Sequence, residues 1–186
     1  MKRCLVLVLV IVTLCGCGSR SSELERVMSF RAKLLAATSC SFDATVTADY
    51  TDATYTFVMS CVGDGDGDLE FRVAEPSSIS AITGTIVREE GKLTFDDKAL
   101  AFSLLADGQI TPVSAPWLLL KCLRGGYVTS CNQEGDYLRI TVEDGYEEDA
   151  LRGDIWLDQH DCPVRGDFLW KDRRILSIEV KDFSIM

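Results

Sequence analysis

Residues 40–61 read CSFDATVTADYTDATYTFVMSC, and this stretch decides the fold. From Cys40 to Ala48 the even positions are apolar or small and the odd ones polar; from Ala53 to Cys61 the odd positions carry the apolar side chains. Folding the two halves about Asp49-Tyr50-Thr51-Asp52, with paired numbers summing to 101, sets Ala48 against Ala53, Val46 against Tyr55, Ala44 against Phe57, Phe42 against Met59 and Cys40 against Cys61. Every pair then lies on one face. A one-residue slip would oppose apolar to polar along the whole ladder. The reading is an antiparallel hairpin.

The same alternation continues outward. Strands are predicted at Leu69 to Glu75, Ile82 to Glu89, Lys92 to Phe95, Leu100 to Leu105 (with Asp107-Gly108 as a tight turn before Ile110), Tyr127 to Cys131, Tyr137 to Glu143, Leu151 to Asp158, Val164 to Lys171 and Ile175 to Phe183. Two helices break the run. One spans 23–37, where Ser22 and Glu25 have capping-box spacing and Leu24, Val27, Met28, Leu34 and Leu35 recur at helical spacing, with only Arg31 off the pattern. The other follows Ser114 as cap, with Pro116 in its first turn and Gly125 as its stop. Such an order predicts a mainly β (α+β) domain over 22–186, an antiparallel meander with one wet and one apolar face. The greasy second helix (Trp117, Leu118, Leu119, Leu120) is the natural cover for the apolar face.

At the N-terminus, Lys2 and Arg3 precede an eleven-residue apolar run, Cys4 to Leu14, too short to span a bilayer. Leu14-Cys15-Gly16-Cys17 then resembles a bacterial lipobox, which implies a signal peptide over 1–16, a lipid on Cys17 and a tether over 17–21. The expected location is extracytoplasmic, lipid-anchored to the cell membrane. Without Lys2 and Arg3 the chain keeps 17 basic against 29 acidic residues. No basic patch stands out, which argues against nucleic acid; the acidity reads as solvated surface.

In that compartment the opposed Cys40 and Cys61 are expected to form a disulfide. Cys122, Cys131 and Cys162 offer no preferred pair, and the odd thiol is either free or bridges two molecules as a disulfide-linked homodimer. Chemistry is sparse. His160, the one histidine, sits in a Pro-ended turn beside Asp161 and Cys162. Neither a G-x-S-x-G nucleophile nor a phosphate-binding glycine loop is present. Arg-Gly-Asp at 152–154 and 165–167 reads as chance, and Glu147-Glu148-Asp149 as a solvated loop. The run Asp64-Gly65-Asp66-Gly67-Asp68 matches a calcium loop at several ligand positions through Glu75, but its sixth position is Leu69 where glycine is required. Asp64, Asp66 and Asp68 are weak candidates for calcium, and the expectation is a hairpin loop without metal, in a protein with no cofactor and no catalytic residue.

Lipobox, amphipathic helix, long meander with a mid-chain helix, Ala74-Glu75-Pro76 closing the third strand and the ending Ile178-Glu179-Val180-Lys181-Asp182-Phe183 together resemble the LolA-like lipoproteins. That resemblance implies an unclosed β-barrel with its helices on the concave side, and a non-catalytic binding function. The ligand is then either an acyl chain or lipoprotein, or a protein partner in the envelope, such as the cell-wall (spore cortex) hydrolase supported by the related germination lipoproteins. Phe42, Val46, Tyr55, Phe57, Met59, Phe71, Trp117, Leu119 and Leu120 are the candidate concave surface, lining a ligand cavity in a carrier and filling it in a partner-binding module.

Overall fold

The computed structural model describes residues 19–50, 53–88, 90–95, 98–103, 105–106, 109–145 and 150–186. The expected signal peptide and Cys17 lie outside them, as do residues 51–52, 107–108 and 147–149 of the turns and loop named above. Helix α1 (Ser19–Ala36) begins inside the expected tether, so Ser22 and Glu25 lie within the helix and form no capping box at its start. Six strands follow: β1 (Ser39–Asp49), β2 (Thr54–Asp64), β3 (Leu69–Glu75), β4 (Thr83–Val87), β5 (Glu90–Phe95) and β6 (Lys98–Ser103). A small hairpin, β7 (Leu105–Ala106) and β8 (Gln109–Ile110), leads to helix α2 (Ala115–Gly125). Five more strands complete the chain: β9 (Tyr127–Glu134), β10 (Tyr137–Glu143), β11 (Arg152–Leu157), β12 (Pro163–Trp170) and β13 (Arg173–Ile185).

Among the described residues the large sheet has eleven strands in the order β6-β5-β4-β3-β2-β1-β13-β12-β11-β10-β9. All pairings are antiparallel. The sheet is therefore two meanders joined where the first strand meets the last, and it stays open between β6 and β9. The fold is mainly β, as the alternation predicts.

The first hairpin keeps the predicted face but not the predicted register. Paired numbers sum to 103, so Ala48 faces Tyr55, Val46 faces Phe57, Ala44 faces Met59, Phe42 faces Cys61 and Cys40 faces Gly63. A slip of two leaves every side chain on its own face, so periodicity cannot see it. Packing decides instead. The observed register sets large against small at three of these steps (Met59 on Ala44, Tyr55 on Ala48, Phe42 on Cys61), where the sum of 101 would oppose Phe42 to Met59 and Ala48 to Ala53.

One face of the sheet carries both helices. Val27, Phe30 and Leu34 of α1 are buried, and Phe183 joins Phe30 to Phe42 with ring centroids 6.1 and 5.6 Å away. Helix α2 buries Trp117, Leu118, Leu119, Leu120, Cys122 and Leu123. It comes close because glycines floor its seat: a Cβ on Gly63 would stand 2.5 Å from Leu120 Cδ1, one on Gly153 3.2 Å from Cys122 Sγ, and one on Gly166 3.5 Å from Leu119 Cδ1. Each fully buried leucine is worth about 1.5–3 kcal/mol, so this seat is a principal source of stability.

Arginines tie the C-terminal ends of the helices, and the predicted serine leaves the start of α2 uncapped. Ser114 makes no cap bond; its Oγ donates to Thr111 O at 2.5 Å, closing the short turn Pro112–Ser114. At the other end of α2, Arg31 of α1 donates to Leu123 O (2.8 Å), Gly126 O (2.9 Å) and Cys122 O (3.1 Å). Its break in the apolar pattern of α1 is thereby explained: it satisfies the terminal carbonyls of the neighbouring helix. Arg124 of α2 returns the favour, reaching Leu34 O of α1 (3.5 Å) and the carbonyls of Asp64 and Gly65.

Candidate functional site

The inner, helix-bearing face was the first candidate. Phe42, Val46, Met59, Phe71, Trp117, Leu119 and Leu120 are buried on it, packed against the helices and one another. Tyr55 departs from the set: it is 50% exposed, while Phe57 is half-buried. Tyr50, Tyr55 and Phe57 form an aromatic run at the end of the first hairpin, with centroids 6.2 and 6.5 Å apart. Among the described residues these side chains pack against one another over the inner face.

The cysteine expectation is corrected. Cys40 and Cys61 are free, buried thiols, because the two-residue shift puts Gly63 rather than Cys61 opposite Cys40. Cys122, Cys131 and Cys162 are free as well, the last two half-buried. Burial pushes the Cys122 thiol up to about 12, with Asp144 adding to the rise, and it also raises Cys61 and Cys40.

The Gly-Asp loop is turned in on itself. Asp64 Oδ1 accepts the amides of Asp66, Gly67 and Asp68 at 2.9, 2.9 and 3.0 Å, and Gly67 takes φ +95°, which suits glycine. Asp68 accepts from Arg88 N at 3.3 Å. The Arg124 guanidinium lies on the loop's backbone, where an incoming cation would meet it. Among the described residues no group of three metal-ligating side chains converges. At the His160 turn, Asp158 Oδ1 holds His160 N (2.8 Å) and Cys162 N (2.9 Å), while Asp161 pairs with Arg26 of α1 at 2.6 Å. That turn anchors a helix.

The outer face of β9–β13 carries a cluster that the sequence reading missed. Asp154 and Asp167 stand directly opposite each other on β11 and β12, only 5% and 7% exposed. Asp154 accepts from Arg139 Nη2 and Thr141 Oγ1, both at 2.8 Å. Asp167 accepts from Arg165 Nη2 (2.6 Å) and Ser177 Oγ (2.8 Å), with Arg174 at 3.5 Å. Between them Trp156 has the Arg139 and Arg165 guanidiniums 5.3 and 4.5 Å from its ring centroid and donates Nε1–H to Glu134 at 2.9 Å. Hydrogen bonds from Arg139 and Trp156 hold the Glu134 carboxyl below its usual range. Donors occupy both opposed carboxylates, which lets two acidic groups lie side by side in nearly buried positions.

A signal for this cluster was present: the two Arg-Gly-Asp triplets lie in adjacent antiparallel strands and meet at their last residues, Asp154 opposite Asp167. Gly153 faces Phe168, Ile155 faces Gly166 and Trp156 faces Arg165. The glycines serve the seat of α2 inside, and the charged residues meet outside.

Two further hollows, of about 1070 and 450 Å³, lie against β2–β6, where Thr85 and Lys92 line both and Arg72, Arg88 and Glu90 stand around them. A third, of about 260 Å³, lies between Leu24 of α1 and Val128–Asn132 of β9.

No family model matches the chain, and no curated protein matches it. Its structural neighbours include a LolA superfamily protein, a lipoprotein-sorting protein domain and a mycobacterial lipoprotein. A LolA superfamily protein from Nitrosomonas europaea is 10% identical, with 88% of this chain and 93% of that chain covered and a TM-score of 0.48. A putative outer membrane lipoprotein-sorting protein domain from Vibrio parahaemolyticus is 9% identical over 90% and 94%, with a TM-score of 0.49. The Mycobacterium tuberculosis lipoprotein LppX is 9% identical over 89% and 96%, with a TM-score of 0.44.

Proposed function

We propose that this protein is a lipid-anchored, extracytoplasmic binding module without catalysis, and that it engages a protein partner of the cell envelope rather than carrying acyl chains. The observation behind this reading is the filled inner face: Trp117, Leu119 and Leu120 occupy the space over the sheet, with Phe42, Val46 and Met59 beneath. A carrier needs a roomy apolar pocket. The lipobox of the sequence supports the anchor and the location. For the partner, the outer Arg139–Trp156–Arg165 group supplies the residue types that dominate protein interfaces.

The test is to purify the full-length protein from native membranes and weigh it intact under native conditions. The expected mass is that of the chain from Cys17 with its covalent lipid and nothing further. A second, stoichiometric, non-covalent lipid would overturn the reading. Cross-linking in cells then asks for one envelope protein whose yield falls in the Trp156→Ala variant. Mobility with and without reductant checks for a homodimer through Cys131 or Cys162, the more accessible thiols.

A further inference from the structure

Helix α1 is apolar over a wider arc than the sheet covers. At about 100° per residue, Val27, Phe30 and Leu34 share one side, and Leu24, Met28 and Leu35 fall within about 40° of one another on the adjoining side. The first three are buried, whereas Leu24, Met28 and Leu35 are 40, 41 and 51% exposed. The stripe runs about 16 Å along the helix at 1.5 Å per residue. Arg31, whose position adjoins it, is committed to the carbonyls at the end of α2. Beyond the stripe the surface turns polar at Glu25, Ser29 and Lys33, all exposed.

What covers the stripe follows from where the chain leads. Cys17, the lipid-bearing residue of the reading above, precedes the first described residue of α1, Ser19, by only two positions. Two residues span at most about 7 Å, so an acylated Cys17 would start the helix at the bilayer surface. We propose that Leu24, Met28 and Leu35 bed into the membrane interface, so that lipid and helix together set which way the sheet faces. This rests on the lipid-anchor reading. An acyl chain by itself holds a protein near a membrane without orienting it; an amphipathic helix continuous with the anchor supplies the missing constraint. Among the described side chains its exposed rim carries Glu25, Ser29 and Lys33 rather than a basic row, so the contact is with the apolar interface and not with anionic headgroups.

The experiment uses the full lipidated protein in zwitterionic phosphatidylcholine vesicles containing lipid brominated on shallow acyl carbons. Tryptophan is introduced at the stripe (Met28→Trp, with Leu24→Trp as a second reporter) or one residue on and about 100° round the helix (Ser29→Trp). Far-ultraviolet circular dichroism confirms each fold. The expected result is that the emission added by either stripe reporter falls by about half, at the depth an interfacial helix reaches, while that added at Ser29 does not. Added salt should leave the quenching unchanged. Intact mass on the same sample reports the lipid. If Cys17 carries none, the anchor reading fails and this proposal with it. If the lipid is present and Met28→Trp and Leu24→Trp stay unquenched, the orientation alone fails. Equal quenching at Ser29, or a stripe shielded by a second copy in sizing, also overturns it.

Discussion

Glycine and cysteine carry much of this fold at the level of single residues. Gly63 lies under α2, and a methyl there would meet Leu120 Cδ1 at 2.5 Å and Cys40 Sγ at 3.1 Å. Both neighbours are buried, so neither moves freely. Gly63→Ala should therefore destabilise by about 1–3 kcal/mol, the usual range for overpacking, seen as a lower midpoint in urea unfolding. Cys122 makes a prediction with a sign. Its folded thiol titrates at about 12 against an ordinary 9, because burial disfavours the thiolate. Between those values the unfolded chain has lost the proton that the folded one keeps, so the unfolded state binds fewer protons. Stability from this group is full below about pH 9 and falls as pH rises, by about 1.4 kcal/mol per unit. Urea midpoints for the wild type and Cys122→Ala should converge as the pH is raised from about 8 to 10.5. Parallel curves would show that Cys122 is not protected in the way its burial implies.

Elements hold one another through their ends. Arg31 of α1 serves three carbonyls at the end of α2, while Arg124 of α2 reaches the last turn of α1 and the Gly-Asp loop. Removing Arg31 takes its donors from the Leu123 and Gly126 carbonyls, while Cys122 O still accepts from Gly126 N, so Arg31→Ala should cost about 1–3 kcal/mol. Arg31→Lys should recover only part of this, since a point-like ammonium cannot match three carbonyls as the planar guanidinium does. Chemical denaturation of both variants measures the difference, and equal losses would reduce Arg31 to a simple charge. Element identity was legible in the sequence: the strand and helix spans follow from hydrophobic period and from glycine and proline punctuation. Element ends were less so. Ser114 and Ser22 have the chemistry of N-caps, yet Ser114 makes no cap bond and Ser22 lies inside α1, while the C-terminal carbonyls take donors from arginines distant in sequence, about which local spacing carries no information. The hairpin register was half legible, since a period of two specifies a face and leaves the position along it to packing. The outer cluster was missed for a related reason: each Arg-Gly-Asp triplet is uninformative until the register sets Asp154 opposite Asp167.

At the scale of the molecule, everything depends on one seam. Strands β1 to β6 and β9 to β13 are each built from neighbours in sequence, and the two halves are hydrogen-bonded into one sheet through β1 and β13. That seam joins the most distant parts of the domain, with Cys40 opposite Ile185 and Ser41 opposite Ser184. Past the strand, Met186 exchanges backbone bonds with Ser39, at 2.9 and 3.3 Å, and accepts another from Thr38 N at 3.0 Å. Phe183 adds the aromatic link from β13 to Phe42 and Phe30, so the seam also seats α1. Pairing so remote in sequence bears the loop-closure cost that local hairpins avoid, which makes it the last interaction to be repaid on folding. Deleting Lys181–Met186 removes this end of the seam and the Phe183 bridge but leaves every local hairpin intact. The truncated protein should keep strand-type circular dichroism yet lose cooperativity, unfolding in urea over a broadened transition with a smaller slope as β1 and α1 release first. Hydrogen exchange should report that order, with amides of β1 from Cys40 to Ala44 losing protection while those of β10 and β11 keep theirs. Unchanged protection at Cys40–Ala44 would mean that the β1–β2 hairpin alone holds the first strand, and the seam would then be a consequence of the fold rather than its support.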